Sequence, residues 1–540
     1  MTSRGGRIAV VVALALLAAA IGASPIAAAG GRRSVLQAQS GGRIVVAGEF
    51  NPAAGLQHWL VCCTVAWTQA IVDPLLPDAY TLAPDFSFVP EVIEGEAVVT
   101  TDPFTVTYTI KKEAIWNDGR PVSAGDFVFT WRAYTNRDNF VATRDGYELI
   151  TSASVSDPKT VTFEFRKPYP DYKRLFEDVF PRHVLRDKNF NRAWSRSIPI
   201  SAGPFEFGEW EQGSHITLVR NDDYWGDHLA YLDEVEFRFI RDVPRQIDVF
   251  AAGEVDVIYS SLHPRLAEVR SFPETEVQSS PGTLMEHVAI QSKDRRILRK
   301  PFIRRAVAFA IDREAIVEQA IRPIDPDAAV LDNLLLLTNE PGYEPHFDAY
   351  RFDPDQAQRI LEDHGCTRND DGVYACNGHR LVLEYITTRP NPIRRKVAEM
   401  ISSQLDAVGI AVEVERLSPV IAFGTRILVA GDFDLFNFAW FAGPTQLDRE
   451  IWRCAGSQNF TNYCNEDVGA LLKEAGSELD QTRRDGLVNA ADAVMARDVA
   501  SLPLYQRPTF LAYSTRVQGL IDNPMPDELT WNIGDWWLSP

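Results

Sequence analysis

Strand-like and helix-like patterns alternate along a chain of 540 residues, with no internal repeat and no low-complexity tract after residue 41. That combination excludes a single core, because hydrophobic cores stop growing at roughly 250–300 residues. What remains is a chain that folds into more than one lobe.

Arg43–Ala47 (RIVVA) reads as a first strand. Phe104–Ile110, Val161–Phe165 and Ile216–Val219 alternate small polar with larger apolar residues, as half-buried strands do. Between them Ser123–Tyr134 has helical spacing behind a serine able to cap its start. The second half is richer in helix. Pro301–Ile311 puts Phe302, Ala306, Val307 and Ala310 on one face, with the proline in the first turn. Asp353-Pro354-Asp355-Gln356 predicts a capped start with Gln356 closing a capping box, and Gly365 a stop after His364. Ile410–Val414 and Phe433–Phe438 read as further strands. The class is α/β.

The N-terminus has the order of an export signal. Arg4 and Arg7 precede an apolar run from Ile8 to Ile21, and Ala27-Ala28-Ala29 fits a small-residue cleavage pattern before Gly30. The alternative is an uncleaved anchor over Ile8–Ala29; Pro25 and the small residues after Ile21 favour cleavage. No cysteine follows the apolar run, so no lipid anchor is indicated, and Arg4 and Arg7 are not adjacent, so this is not a twin-arginine signal. No later segment reaches the ~18 apolar residues of a membrane span. The expectation is a protein exported to the periplasm or cell surface, with a signal peptide at 1–29 and a linker at 30–41.

Six cysteines fit an oxidising compartment. Cys366 and Cys376, and Cys454 and Cys464, are each separated by polar, turn-rich sequence, which predicts two local disulfides. A zinc site is the alternative, but there is no CxxC and no histidine pair at helical spacing. Cys62-Cys63 leaves three readings open: a vicinal disulfide, two buried thiols or a long-range pairing. A net charge of −20 excludes a nucleic-acid partner, which needs a basic surface.

Four stretches carry a resemblance. They are AIWNDGRPVSAGDFVFTW at Ala114–Trp131; SAGPFEFGEW through VRNDDYWG and YLDEVEFRFI to AAGEVDV at Ser201–Val257; IRRAVAFAIDREAIV at Ile303–Val317; and FDPDQAQRILEDHGCTRNDDGVY at Phe352–Tyr374, followed by GHRLVLEYITT. In this order the chain resembles the family 5 extracellular solute-binding proteins of bacteria, the peptide-, dipeptide- and nickel-binding group. Read locally, most of these residues are structural: Asn117-Asp118-Gly119 and Asn221–Gly226 are turns, with Tyr224 and Trp225 as aromatic plugs.

The resemblance implies a two-lobed clamp of the large periplasmic-binding-protein type, with an extra α/β domain on lobe I. Lobe I would comprise 41–85, 198–283 and 508–540, the extra domain 86–197, and lobe II 284–507. It also implies a monomer that closes on a small molecule or peptide and presents it to the permease subunits of an ABC importer, with no cofactor and no metal. A non-peptide solute (an oligosaccharide, a metal chelate) and a surface sensor or adhesin are the alternatives.

Peptide binders of the family carry a tryptophan followed three positions later by an aspartate that neutralises the ligand's ammonium group. Here Trp440 holds the tryptophan position, Gly443 replaces the aspartate, Phe441 lies between them, and Asn437 stands where some relatives have arginine. A buried ammonium without a carboxylate costs several kcal/mol. Either another carboxylate such as Asp448 or Asp434 takes over, or the ligand has no free amine there. For Trp440, core packing competes with a place in the cleft wall. Gln57 and Trp59, in the first ligand-side loop, and Ser201 and Gly203, at the crossing back into lobe I, complete the candidates, each with a structural role as its alternative. No GxSxG, HExxH, phosphate-loop or dinucleotide pattern is present, so no enzyme is expected.

Overall fold

The computed structural model describes residues 38–540 apart from 50, 53, 295, 390 and 444–448, and leaves the side chains of 420, 423, 428–430 and 449 aside. The leader and most of the linker lie outside the described residues. No helix among the described residues is long and apolar enough to cross a membrane.

Two large apolar clusters replace the single core that the length excludes. One surrounds Trp116, Tyr108, Phe163 and Phe176; the other lies around Leu383, Tyr385, Ile401 and Leu435. The two clusters lie on opposite faces of one sheet, to which both contribute, and the second also packs on a further sheet. A seven-stranded mixed sheet runs in the order Thr275–Gln278, Leu511–Ser514, Val257–Tyr259, Arg43–Gly48, Glu234–Phe239, His215–Arg220, Phe205–Glu211. A five-stranded sheet runs Ala411–Leu417, Val382–Thr388, Leu435–Phe441, Pro281–Ile290, Ser501–Pro508. A four-stranded antiparallel sheet (Val98–Thr101, Phe104–Thr109, Thr160–Phe165, Ile150–Asp157) with the helix Ala124–Thr135 forms the additional α/β unit on the first lobe.

All seven strands of the first sheet fall within the three stretches expected for lobe I. Two strands of the second, Pro281–Ile290 and Ser501–Pro508, run across the expected boundaries at 283/284 and 507/508. They pair with each other antiparallel, so both chain crossings lie in one hydrogen-bonded ribbon.

Local signals act as their chemistry requires. Asp126 Oδ2 accepts from the Ser123 amide at 2.8 Å, making the start of Ala124–Thr135 a capping box. Asp353 caps Pro354–Asp363 by accepting from the Gln356 amide at 2.7 Å. Gln356 does not close the expected box: its Oε1 accepts from Arg359 instead. Gly365 follows with φ of 77°, the left-handed turn that a helix stop favours. The strand expected at Phe433–Phe438 begins later, at Leu435; just before it, the Asp434 carboxylate accepts from the Glu384 amide at 3.0 Å.

Cys366–Cys376 and Cys454–Cys464 are disulfides, the first bridging directly opposed residues of an antiparallel pair. Cys62 and Cys63 are bonded to each other, which settles the three open readings in favour of the vicinal disulfide.

Candidate functional site

A cavity of about 510 Å³ opens where the two sheets meet. That is within the range of about 300–1,000 Å³ typical of small-ligand sites. Its walls come from strand ends. Arg43–Gly48 delivers Glu49, Val257–Tyr259 delivers Tyr259 to Leu262, and Leu435–Phe441 delivers Phe441. Ligand sites in sheets with helices on both faces lie at such carboxyl ends. The crossing ribbon adds Gly282, Thr283 and Arg507, and the C-terminal stretch adds Pro524, Pro526 and Asp527.

The sequence shapes this wall closely. A Cβ on Gly48 would stand 2.2 Å from the Trp67 ring, so glycine lets the indole lie against the strand. Helix Ala66–Val72 holds that indole edge-on to Phe237, with ring centres 5.6 Å apart. The indole nitrogen of Trp67 and the hydroxyl of Thr283 are both buried, and neither finds a hydrogen-bond partner among the described residues. The Thr283 backbone ties the region together: its amide donates to Pro524 O at 3.2 Å and its carbonyl accepts from Ala442 at 2.7 Å.

Charge is uneven. Behind the ribbon, buried Glu286 is held by Arg394 (Nη2 at 2.9 Å from Oε1) and by Arg507. Burial alone would raise its pKa, but the two guanidinium groups outweigh burial and bring it to about 2. Farther along, Asp73, Glu177, Asp178, Asp527 and Glu528 interact with one another, faced by Arg174 and His58. Burial, reinforced by this crowding, lifts Asp73 and Glu528 well above the ordinary carboxylate range. Burial pulls the imidazole pKa of His58 down, but Asp178 at 3.2 Å, by charge and hydrogen bond, together with Glu177 and Asp527, raises it overall. His58, Asp73 and Asp178 offer donor atoms within 4.8 Å of one another, a spacing that could hold a metal ion; the imidazole–carboxylate bond already occupies two of the three.

The candidate residues part company. Phe441 lines the cavity. Trp440 points to the other face of its strand, half-buried and stacked on Phe460 with ring centres 5.6 Å apart. Asn437 is buried below Phe441, and its Oδ1 finds no partner among the described residues. Gly443 is buried beside Phe441 and Arg174.

The other four have structural partners instead of the cavity. Gln57 donates to Phe190 O at 2.6 Å. Trp59 is buried among Phe180, Phe190 and Trp194. Ser201 Oγ bonds Leu75 O at 2.7 Å, and a Cβ on Gly203 would stand 2.1 Å from Pro74 O. Of the two replacement carboxylates, Asp434 is engaged by Arg296 and the Glu384 amide, and Asp448 lies outside the described residues. Residues that sequence reasoning missed in this wall are His58, Trp67, Thr283, Arg507 and Asp527, drawn from stretches far apart in the chain, with Arg174 close behind Gly443.

The sequence pattern described as bacterial extracellular solute-binding proteins, family 5 middle, matches residues 87–462. The chain belongs to this family. The oligopeptide-binding protein OppA of Mycobacterium tuberculosis is 25% identical to this family 5 chain over 484 residues, covering 86% of the chain and 79% of OppA. Among solved structures, the periplasmic EDTA-binding protein EppA superposes with a TM-score of 0.84 at 22% identity, covering 93% of this chain and 97% of EppA. The oligopeptide-binding protein AppA of Bacillus subtilis, in complex with a nonapeptide, gives 0.75 at 22% identity, covering 93% and 100%. These likenesses agree with the two-lobed fold described above. Family 5 is a family of binding proteins that serve as the extracytoplasmic capture components of ABC importers.

Proposed function

We propose that this chain is an exported capture protein that closes its lobes on a peptide and hands it, unaltered, to the permease subunits of an ABC importer. The observation that carries the reading is the cavity at the crossing ribbon, walled by strand ends of both sheets and lined by unpartnered polar atoms. Such a cavity changes shape when the lobes move, and a ligand that touches both lobes favours the closed arrangement by its differential affinity. The peptide class is supported by relatives named for oligopeptide and dipeptide binding. A second reading, capture of a polar non-peptide solute, is favoured by Gly443 in place of an ammonium-binding aspartate, and by a structural neighbour named for EDTA binding.

Thermal unfolding of the mature protein against short peptides, oligosaccharides and metal chelates separates the two. A solute at 100 times its dissociation constant stabilises by about 2.7 kcal/mol. The expected result is a raised melting temperature with peptides. Silent peptides together with a rise for a chelate or sugar would replace the first reading with the second.

A further inference from the structure

An unmatched acceptor lines the cavity, and an unmatched donor lies behind Gly443, next to the cavity residue Phe441. Asp527 lines the cavity, and its buried Oδ1 finds no hydrogen-bond partner among the described residues. Arg174 Nη1 is buried and equally without a partner there, while Nη2 of the same guanidinium lies 3.3 Å from Glu177. Gly443 keeps this arrangement open: a Cβ at that position would stand 3.7 Å from Arg174 Nη1, so a longer acidic side chain would be placed to pair with the guanidinium. Thr283, fully buried with an unpartnered hydroxyl, lines the same cavity.

Charge decides what fits. Asp73, Glu177, Asp178, Asp527 and Glu528 face only Arg174 and His58 among the described residues, and His58 is taken by Asp178. Burial raises the carboxyl pKa values of Asp73, Glu177, Asp527 and Glu528, and mutual crowding adds to it at Asp73, Glu177 and Glu528, so further negative charge is unwelcome here, which disfavours an anionic head group. A compact metal ion at Asp527 would meet the guanidinium charge of Arg174. An ammonium group next to a carbonyl oxygen answers both unmatched atoms, as donor to the carboxylate and acceptor from the guanidinium. The wall is also preset: Asp527 follows Pro524-Met525-Pro526, where two fixed φ angles limit its swing, and the Met525 amide is held by Asn523 Oδ1 at 3.0 Å.

We propose that Asp527 is the amine anchor of this cavity, with Arg174 Nη1 donating to the carbonyl oxygen beside that amine. The captured peptide then keeps a free amino terminus, seated on the C-terminal stretch of the chain and not at position 443. This rests on the peptide reading above. The test is calorimetric titration of the mature protein with its best-binding short peptide and with the N-acetylated form of the same peptide. Acetylation is expected to weaken binding about ten- to a hundredfold, as loss of a charged hydrogen bond does. Asp527→Asn is expected to weaken the free-amine peptide to the level of its acetylated twin while leaving the twin unchanged. Equal affinity of the twins for the wild type overturns the anchor and leaves peptide capture standing. Silence of every peptide overturns both. Should Asp527→Asn fail to fold, the wild-type comparison alone decides.

Discussion

Gln57, His58 and Trp59 are consecutive, yet only His58 lines the cavity; its neighbours are buried against Phe190 and the aromatic cluster around Phe180. The stretch was legible as ligand-side, whereas the choice within it depends on which way each side chain turns, and that is set by partners 120 residues or more away such as Asp178 and Phe190. Gly203 shows the opposite case, a residue whose importance was legible and whose reason was not. Its missing side chain admits the Pro74 carbonyl, not a ligand. Gly203→Ala is therefore expected to destabilise the protein by about 3 kcal/mol through overpacking against backbone. Denaturant unfolding would check this, and solute affinity per folded molecule should stay near wild type.

At the scale of elements, strands such as Phe104–Thr109 announced themselves by alternation, because one face is buried and the other half-exposed. Pro281–Ile290 did not, because it is central in its sheet and buried on both faces, which erases the period. Yet that strand carries two opposed titrations, Glu286 on one face and His287 on the other. Neither His287 nitrogen finds a partner among the described residues, and burial lowers its pKa from 6.5 to about 4. Between those values the unfolded chain binds a proton that the folded one does not, so stability falls as pH drops through that window. For Glu286 the folded pKa of about 2 lies below the ordinary 4.5, so its contribution is present above 4.5 and is lost as pH falls toward 2. His287→Phe should flatten the stability profile between pH 6.5 and 4, recovering about 3 kcal/mol at the acid end relative to wild type. Unfolding free energies measured across that range would show it. An unchanged slope would mean that His287 is protonated in the native state.

For the whole molecule, the division into lobes followed from length and pattern, while the cavity could not be read in advance, since its wall joins residues from Glu49 to Asp527. One contact reaches from the additional unit to the lobe built on the five-stranded sheet. Arg484, on helix Gln481–Asp498, grips Asp171 with two hydrogen bonds of 2.6 and 3.0 Å, largely out of solvent. Bidentate pairs of this kind are among the stronger polar contacts. Asp171→Asn should favour the open arrangement by about 1–2 kcal/mol, a five- to thirtyfold shift. Small-angle scattering of the unliganded variant should then report a larger radius of gyration, and solute affinity should fall in step.

The grip of Arg484 on Asp171 is made by the protein's own side chains, and that has a bearing on selectivity. Part of the work of shutting is done by the protein on itself, so less of a solute's binding energy is spent on bringing the halves together. Weak or imperfect guests profit from that saving as much as good ones. A scavenger living on mixed, dilute material gains from such tolerance, and would have to recover discrimination later, at the membrane step.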